Sequence, residues 1–432
     1  MMKRFTRAMI SVLLATTPLL ASEEIPGAPQ SSPVLLRGGD LYTISSGVLP
    51  ATDLLFADGR IVEIGKGLQP PEGAEVVDVS GRRVYPGLIG AQTTIGLVEI
   101  SAVRATSDVQ EVGDLTPEVA AHVAYNPDSE IIPTVRANGV TTVQVTPAGS
   151  LLRGQTFVTH LDGWTKEDAG VRLVEGMSLR WPAVKPASGW WVETSAEEQL
   201  EAMAQERRKL RQFFDDALAY REAKAGGRET EENTRLEAMI SVLEGDIPLY
   251  VDADDYRQIV EAVAFTRDYG VRMILTGGRE AYRATDLLKR HDIPVIVGAV
   301  QALPMRQDDD YDQAYKLPAQ LHQAGVTFCL SQPSSWATRN LPLQAGHAVG
   351  YGLPSDVALR SITLSVAEIL GIADREGSLE VGKDATLFVS SGDVMNTLGH
   401  RVTHMWIEGR RVDLDNKHKE LYRKYEEKIK RY

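Results

Sequence analysis

The sequence predicts an α/β fold: a barrel of alternating strands and helices, joined to a small β domain assembled from segments near both ends of the chain. Two observations carry this. In the middle of the chain, short β-branched runs ("GVTTVQVTP", "IPLYVDA", "VRMILTGG", "IPVIVGAV", "GVTFCLS") alternate with helical stretches such as "DDYRQIVEAVAFTRDYG" and "AYRATDLLKRH". That is the rhythm of βα units on a parallel sheet, most simply a barrel. On either side lie two β-rich segments, residues 34–85 and 377–414, whose alternating apolar runs suggest one composite domain.

The chain has 432 residues, 43% hydrophobic and 24% charged, with a net charge of -13. This is globular material, and its acidity argues against affinity for nucleic acid or anionic membrane. Residues 1–21 read as a signal peptide. Lys3, Arg4 and Arg7 precede the apolar run "AMISVLLATTPLLA", which is too short to span a bilayer comfortably, and cleavage is expected near Ala21. The expected destination is the periplasm or the medium, with no membrane insertion of the mature chain. The single cysteine, Cys329, cannot form an intramolecular disulfide and reads as a small buried hydrophobe. The sequence sets no oligomeric state.

Residues 22–33 form a linker. In 34–85 the turn "ADGR" joins two alternating runs, and Asp-Gly accepts the positive backbone angles that a tight hairpin needs. The barrel is expected over 86–376. Within it, residues 196–244 are long, charged and apolar at helical spacing, and are expected as a helical hairpin inserted on the barrel. Residues 415–432, "DNKHKELYRKYEEKIKRY", predict a solvated helical tail.

Two stretches carry a family resemblance. "GRRVYPGLIGAQTTIGL" near the start and "ALRSITLSVAEILGIADREGSLEVGKDATLFVSSGD" near the end resemble the amidohydrolase superfamily, and most of all its imidazolonepropionase-type members. The resemblance implies a distorted TIM-like (β/α)8 barrel, a composite β-sandwich domain, and hydrolysis of non-peptide C–N bonds in small cyclic amides. The family uses a divalent metal such as zinc, bound by a His-x-His pair on the first strand, a middle-strand lysine or glutamate, two further histidines and a last-strand aspartate. Such a metal lowers the pKa of its water from about 15.7 towards 7.

This sequence departs from that set position by position. Gly90, Gln92 and Thr94 stand where the first aspartate and the two histidines are expected. Asp252 takes the place of the fifth-strand histidine, Gly277 that of the sixth-strand histidine, and Gln332 that of the last aspartate. Neutral amides and hydroxyls are poor substitutes for imidazole around zinc, so no metal or other cofactor is expected.

The remaining candidates are polar. Alternation with Tyr250 directs Asp252 into the barrel mouth, where it is the candidate catalytic group. Gln92, Thr94 and Gln332 are expected to share that mouth and bind substrate. His160 and His347 are the histidines expected near strand-to-helix loops, and join them. His291 is expected to cap a helix, His322 to lie on a helix, and His400 and His404 to lie in the terminal β segment. Asp254 and Asp255 precede a helix, where an N-cap is the ordinary role. Trp190 and Trp191 are expected on a loop, over a ligand or over core, and Gly149 and Gly154 in a turn that a plain hairpin also explains.

Two function classes follow. One is an exported hydrolase of C–N bonds in small cyclic amides. The other is a non-catalytic protein that keeps the barrel for binding or as a scaffold. Metal content and chelator-sensitive turnover separate them.

Overall fold

The computed structural model describes residues 24–227 and 231–432; the expected signal peptide lies outside them. Near its start the chain forms five strands: β1 (Val34–Tyr42), β2 (Val48–Ala57), β3 (Arg60–Gly65), β4 (Glu75–Asp78) and β5 (Arg83–Pro86). Asp58 and Gly59 join β2 to β3 with φ of 49° and 76°, the paired left-handed angles of a type I′ turn.

Eight strands make the barrel: β6 (Leu88–Thr93), β7 (Val140–Val145), β8 (Leu152–His160), β9 (Gly170–Arg180), β10 (Leu249–Ala253), β11 (Met273–Gly277), β12 (Val295–Val297) and β13 (Phe328–Leu330). They neighbour one another in sequence order. The seam between β13 and β6 is filled by Ser361 and Ile362, whose carbonyls accept from Leu330 N and Ile89 N, each at 3.0 Å. The sheet is therefore nearly closed.

Pairing is parallel except around β8, which runs antiparallel to both β7 and β9. The βα rhythm of the sequence predicts parallel neighbours throughout, and this reversal is the barrel's main distortion. Its cause is local. Only residues 146–151 separate β7 from β8, too few for the dozen or so that a parallel crossover requires.

Residues expected as an inserted hairpin connect β9 to β10. The helix Ala196–Ala225 starts from a capping box formed by Ser195 and Glu198. It buries Leu210, Phe214 and Ala217 in the main core, with Phe214 edge-on to Phe265 at 4.9 Å. The short helices Thr234–Ala238 and Ile240–Glu244 complete the connection.

After the barrel come β14 (Leu387–Ser390), β15 (Val402–Ile407) and β16 (Arg410–Arg411). β14 pairs antiparallel with β5, so both parts of the chain share one sheet in the order β16-β15-β14-β5-β1-β2-β3, with β4 also paired to β1. The sheet rolls up: Ile61 N donates to Lys383 O and Ala385 N to Gly59 O, enclosing Leu36, Leu54, Phe56, Val84, Leu387 and Trp406. It covers the barrel end at which β6 begins, where Gly87 N donates to Thr386 O at 3.0 Å. The tail forms the helix Lys417–Lys430, which buries none of its residues. Among the described residues, no helix is long and apolar enough to cross a membrane.

Inside the barrel, Ile89, Ala91, Val158, Tyr250, Ile274, Ile296 and Cys329 form one buried cluster, which the helix Leu364–Leu370 extends with Val366, Ala367 and Leu370. Packing here leaves the opposite end of the barrel as the place for a cavity.

Candidate functional site

A cavity of about 390 Å3 opens where β6, β7 and β10 to β13 end and β8 begins. Gln92, Thr94 and Asp252 line it, together with Arg153, Asp254, Thr276, Gly277 and Arg279.

Gln92 reaches the cavity through a distortion of its strand. The register between β6 and β7 slips between Gly90 and Thr93, and Gln92 takes a left-handed φ of 56°. This conformation costs a non-glycine residue energy and must be held in place by its surroundings. The holding group is Gln144 on β7, whose Oε1 accepts from Gln92 N at 3.2 Å and from Gln92 Nε2 at 2.9 Å.

Behind Gln144 lies a buried carboxylate. Gln144 Nε2 donates to Glu175 Oε2 at 2.7 Å and Thr156 Oγ1 donates to the same oxygen at 3.0 Å. The Tyr250 hydroxyl donates to Oε1. Burial pushes the Glu175 carboxyl above its ordinary pKa while these three donors oppose the shift. Burial, and then the Glu175 charge, raise the Tyr250 phenol.

On the facing wall, Arg153 Nη2 pairs with Asp252 Oδ2 at 2.9 Å, the arginine side chain 16% exposed and the aspartate 39%. Asp254 accepts Arg279 N at 3.2 Å. Burial raises its carboxyl pKa, and Asp252 adds to the shift. Gly277, with φ of 81°, lets both carboxylates approach: a Cβ there would lie 2.6 Å from Asp254 Oδ1 and 3.4 Å from Asp252 Oδ1. Asp255 has the ordinary role. It caps the helix Tyr256–Asp268 through a capping box with Gln258 and pairs with Lys185 at 2.6 Å and Arg306 at 3.4 Å.

Three expected members are placed elsewhere. Gln332 lies beyond the end of β13, where strand alternation no longer applies; it is half-buried, its carbonyl accepts from Thr338 Oγ1 at 3.0 Å, and Ser331 and Pro333 line the cavity instead. His160 ends β8, and because β8 is reversed it sits at the far end of the barrel, buried against Glu376. His347 lies on the helix Leu341–Gly350 and bonds to Gln301 Nε2 at 2.9 Å, beside a separate surface depression. Trp190 and Trp191 are 93% and 65% exposed and stand outside the cavity wall.

The relay of Gln144, Glu175 and Tyr250, and the cation Arg153, were not among the expected residues. The relay's only sequence signal is the one acidic residue, Glu175, within the run "RLVEGMSLRW", which reads equally well as a solvent-facing strand position.

Comparisons with known proteins bear on this architecture. The crystal structure of an amidohydrolase from Thermotoga maritima MSB8 matches with a TM-score of 0.77 and 25% identity, covering 88% of this chain and 99% of that one. "Amidohydrolase tasK" of Hapsidospora irregularis is 22% identical over 401 residues, 83% of this chain and 39% of that protein. These similarities support an amidohydrolase-superfamily assignment. A dihydroorotase of Geobacter sulfurreducens is 33% identical over 131 residues, 28% of this amidohydrolase-fold chain and 30% of the relative. The chain thus spans well under half the length of these curated relatives. A prolidase complexed with n-methylphosphonate-l-proline shares the barrel fold, at a TM-score of 0.56 and 17% identity. No family model matches the chain.

Proposed function

We propose that this protein is an exported amidohydrolase-fold protein that binds a small polar molecule at its barrel mouth and has given up the metal-dependent hydrolysis of its superfamily. The observation that carries the reading is the pairing of Asp252 with Arg153. At the place of a family ligand, the carboxylate is engaged by a guanidinium, a fixed cation that cannot activate water. The donor set supports the same reading. Gln92 and Thr94 offer neutral oxygens, Gly277 offers none, and among the described residues no three His, Cys, Asp or Glu side chains gather as a metal site would require.

What remains suits hydrogen bonding. The cavity volume falls within the range that takes small ligands. Arg153 and Arg279 can donate to carbonyl or carboxylate oxygens, and Thr94, Thr276 and Gln92 offer neutral partners. The proposed location, periplasmic or secreted, rests on the basic start and short apolar run of residues 1–21. The acidic net charge speaks against nucleic acid as a partner.

The superfamily relationship favours a second reading, retained hydrolysis of C–N bonds in small cyclic amides. Elemental analysis of purified protein, with turnover of cyclic amides measured with and without chelator and added zinc or manganese, separates the two. We expect no stoichiometric metal, no turnover, and thermal stability unchanged by chelator. Gln92→His with Thr94→His alone should create no hydrolase, because the remaining ligands are also missing. Tightly bound metal with chelator-sensitive turnover would overturn the binding reading.

A further inference from the structure

We infer that Gln92 is the specificity-determining residue of this site, a fixed hydrogen-bond acceptor for an N–H of the ligand, and that the buried Glu175 holds it in that orientation through Gln144. The inference rests on the binding reading above and deepens it.

The argument is one of direction. An amide side chain presents a donor at one end and an acceptor at the other, and which end faces a ligand is decided by its neighbours. Three donors converge on the Glu175 carboxylate: Gln144 Nε2 and Thr156 Oγ1 on one oxygen and the Tyr250 hydroxyl on the other. The Glu175 oxygens accept from all three, and Gln144 therefore turns its Nε2 inward. Its Oε1 then faces Gln92 and accepts from both the backbone N and the side-chain Nε2.

The Gln92 amide is thereby fixed. Its Nε2 points back at Gln144, and its Oε1 has no protein partner among the described residues. Turning the amide over would set two carbonyl oxygens against each other. The backbone bond from Gln92 N also clamps the left-handed φ of 56°, so the side chain cannot leave easily by relaxation of its strand. Gln92 lines the cavity, and a polar group presented in a fixed orientation discriminates strongly against ligands that leave it unpaired. The site accordingly favours a small molecule with an N–H donor and a carbonyl or carboxylate oxygen for the arginines Arg153 and Arg279. Gln92 touches the ligand; Gln144 and Glu175 are positioning residues.

The test uses two probes of nearly the same shape: 5-oxoproline, a lactam carboxylate with a ring N–H, and the lactone carboxylate in which a ring oxygen replaces that N–H. Dissociation constants for both are measured by NMR titration on the full-length protein. In the unmodified protein the lactam should bind about tenfold more tightly, as one lost hydrogen bond to a fixed acceptor implies. Gln92→Leu should bring the ratio close to one. Glu175→Gln keeps the shape but lets the relay run in either direction, and should lower the ratio while leaving affinity for the lactone nearly unchanged. A merely structural role would weaken both probes together. Equal binding of lactam and lactone to the unmodified protein would overturn the inference and leave the binding reading standing; failure of both probes to bind would overturn both. An undiminished preference in either variant would also overturn the role assigned here. The comparison in the unmodified protein decides the matter even where a variant fails to fold.

Discussion

Gly277 shows how a single residue fixes what the site can hold. Its φ of 81° lies in the left-handed region, and a Cβ there would press on Asp254 Oδ1 at 2.6 Å. A histidine at this position, as the superfamily's metal centre requires, would have to displace Asp254 from the cavity wall. Gly277→Ala is expected to destabilise the protein by about 1–3 kcal/mol through backbone strain and the shifted carboxylate, measured as a loss in chemical denaturation. An unchanged midpoint would show that the wall yields freely. At this scale the sequence was legible where a rule of local geometry applied. Alternation with Tyr250 pointed to Asp252, and an Asp-Asp before a helix pointed to the cap at Asp255. Gln92 and Thr94 reach the cavity as expected, although by a strand irregularity that no alternation rule contains. Gln332 was misplaced because β13 stops two residues before it.

At the scale of elements, the reversal of β8 explains two residues at once. Arg153, near its start, arrives at the mouth; His160, at its end, arrives at the opposite end of the barrel. The strand-and-helix rhythm was readable for β7 and β10 to β13, where β-branched runs are bounded by turn residues. The direction of β8 was not, because a period of two marks a strand and not the sense in which it runs. Gly154 sits within β8 at φ of 114°, and a Cβ there would lie 2.4 Å from Val119 O, where backbone bonds tie Gln155 N to the same carbonyl at 2.7 Å. Gly154→Ala therefore meets both a forbidden conformation and an immovable backbone atom. It should cost about 3 kcal/mol or more, read as a lowered denaturation midpoint. Wild-type stability in that variant would mean that the 116–119 segment is not held against the strand.

For the molecule as a whole, the decisive contact is a buried ion pair between the barrel and the segment leading into the terminal sheet. His160 Nε2 meets Glu376, whose other oxygen accepts Thr142 Oγ1 at 2.7 Å. Glu408 approaches His160 Nδ1 at 3.8 Å, and the Arg410 charge opposes protonation. Burial works against a charged imidazole, but Glu376 overcomes it and holds the His160 pKa above its ordinary value. Burial also works against the Glu376 charge, and His160 holds that carboxyl below its ordinary value. The raised histidine contributes stability fully below its unfolded pKa of about 6.5 and loses it as pH rises through the folded value. The depressed glutamate contributes above about 4.3 and loses it as pH falls through its own folded value. The pair is thus worth most between about pH 4.3 and 6.5. Glu376→Ala should cost about 3–5 kcal/mol in that window, since it strands a buried partner. The deficit should shrink at higher pH as His160 becomes neutral; thermal melts across pH 4–9 giving a constant deficit would show that the pair is not charged.

The shared terminal sheet has a further consequence, one of timing. β1 to β5 emerge from the ribosome long before β14, and the entire barrel must be synthesised in between. At about 5–20 residues per second the interval is on the order of tens of seconds. Throughout it, β5 has β1 on one side but lacks β14 on the other, and Val84 and Tyr85, both fully buried in the finished molecule, lack their final cover. A nascent chain in that state is a natural client for chaperones. It is also one that a translocation channel can thread while it is still open, before the last strand locks both parts of the sheet together.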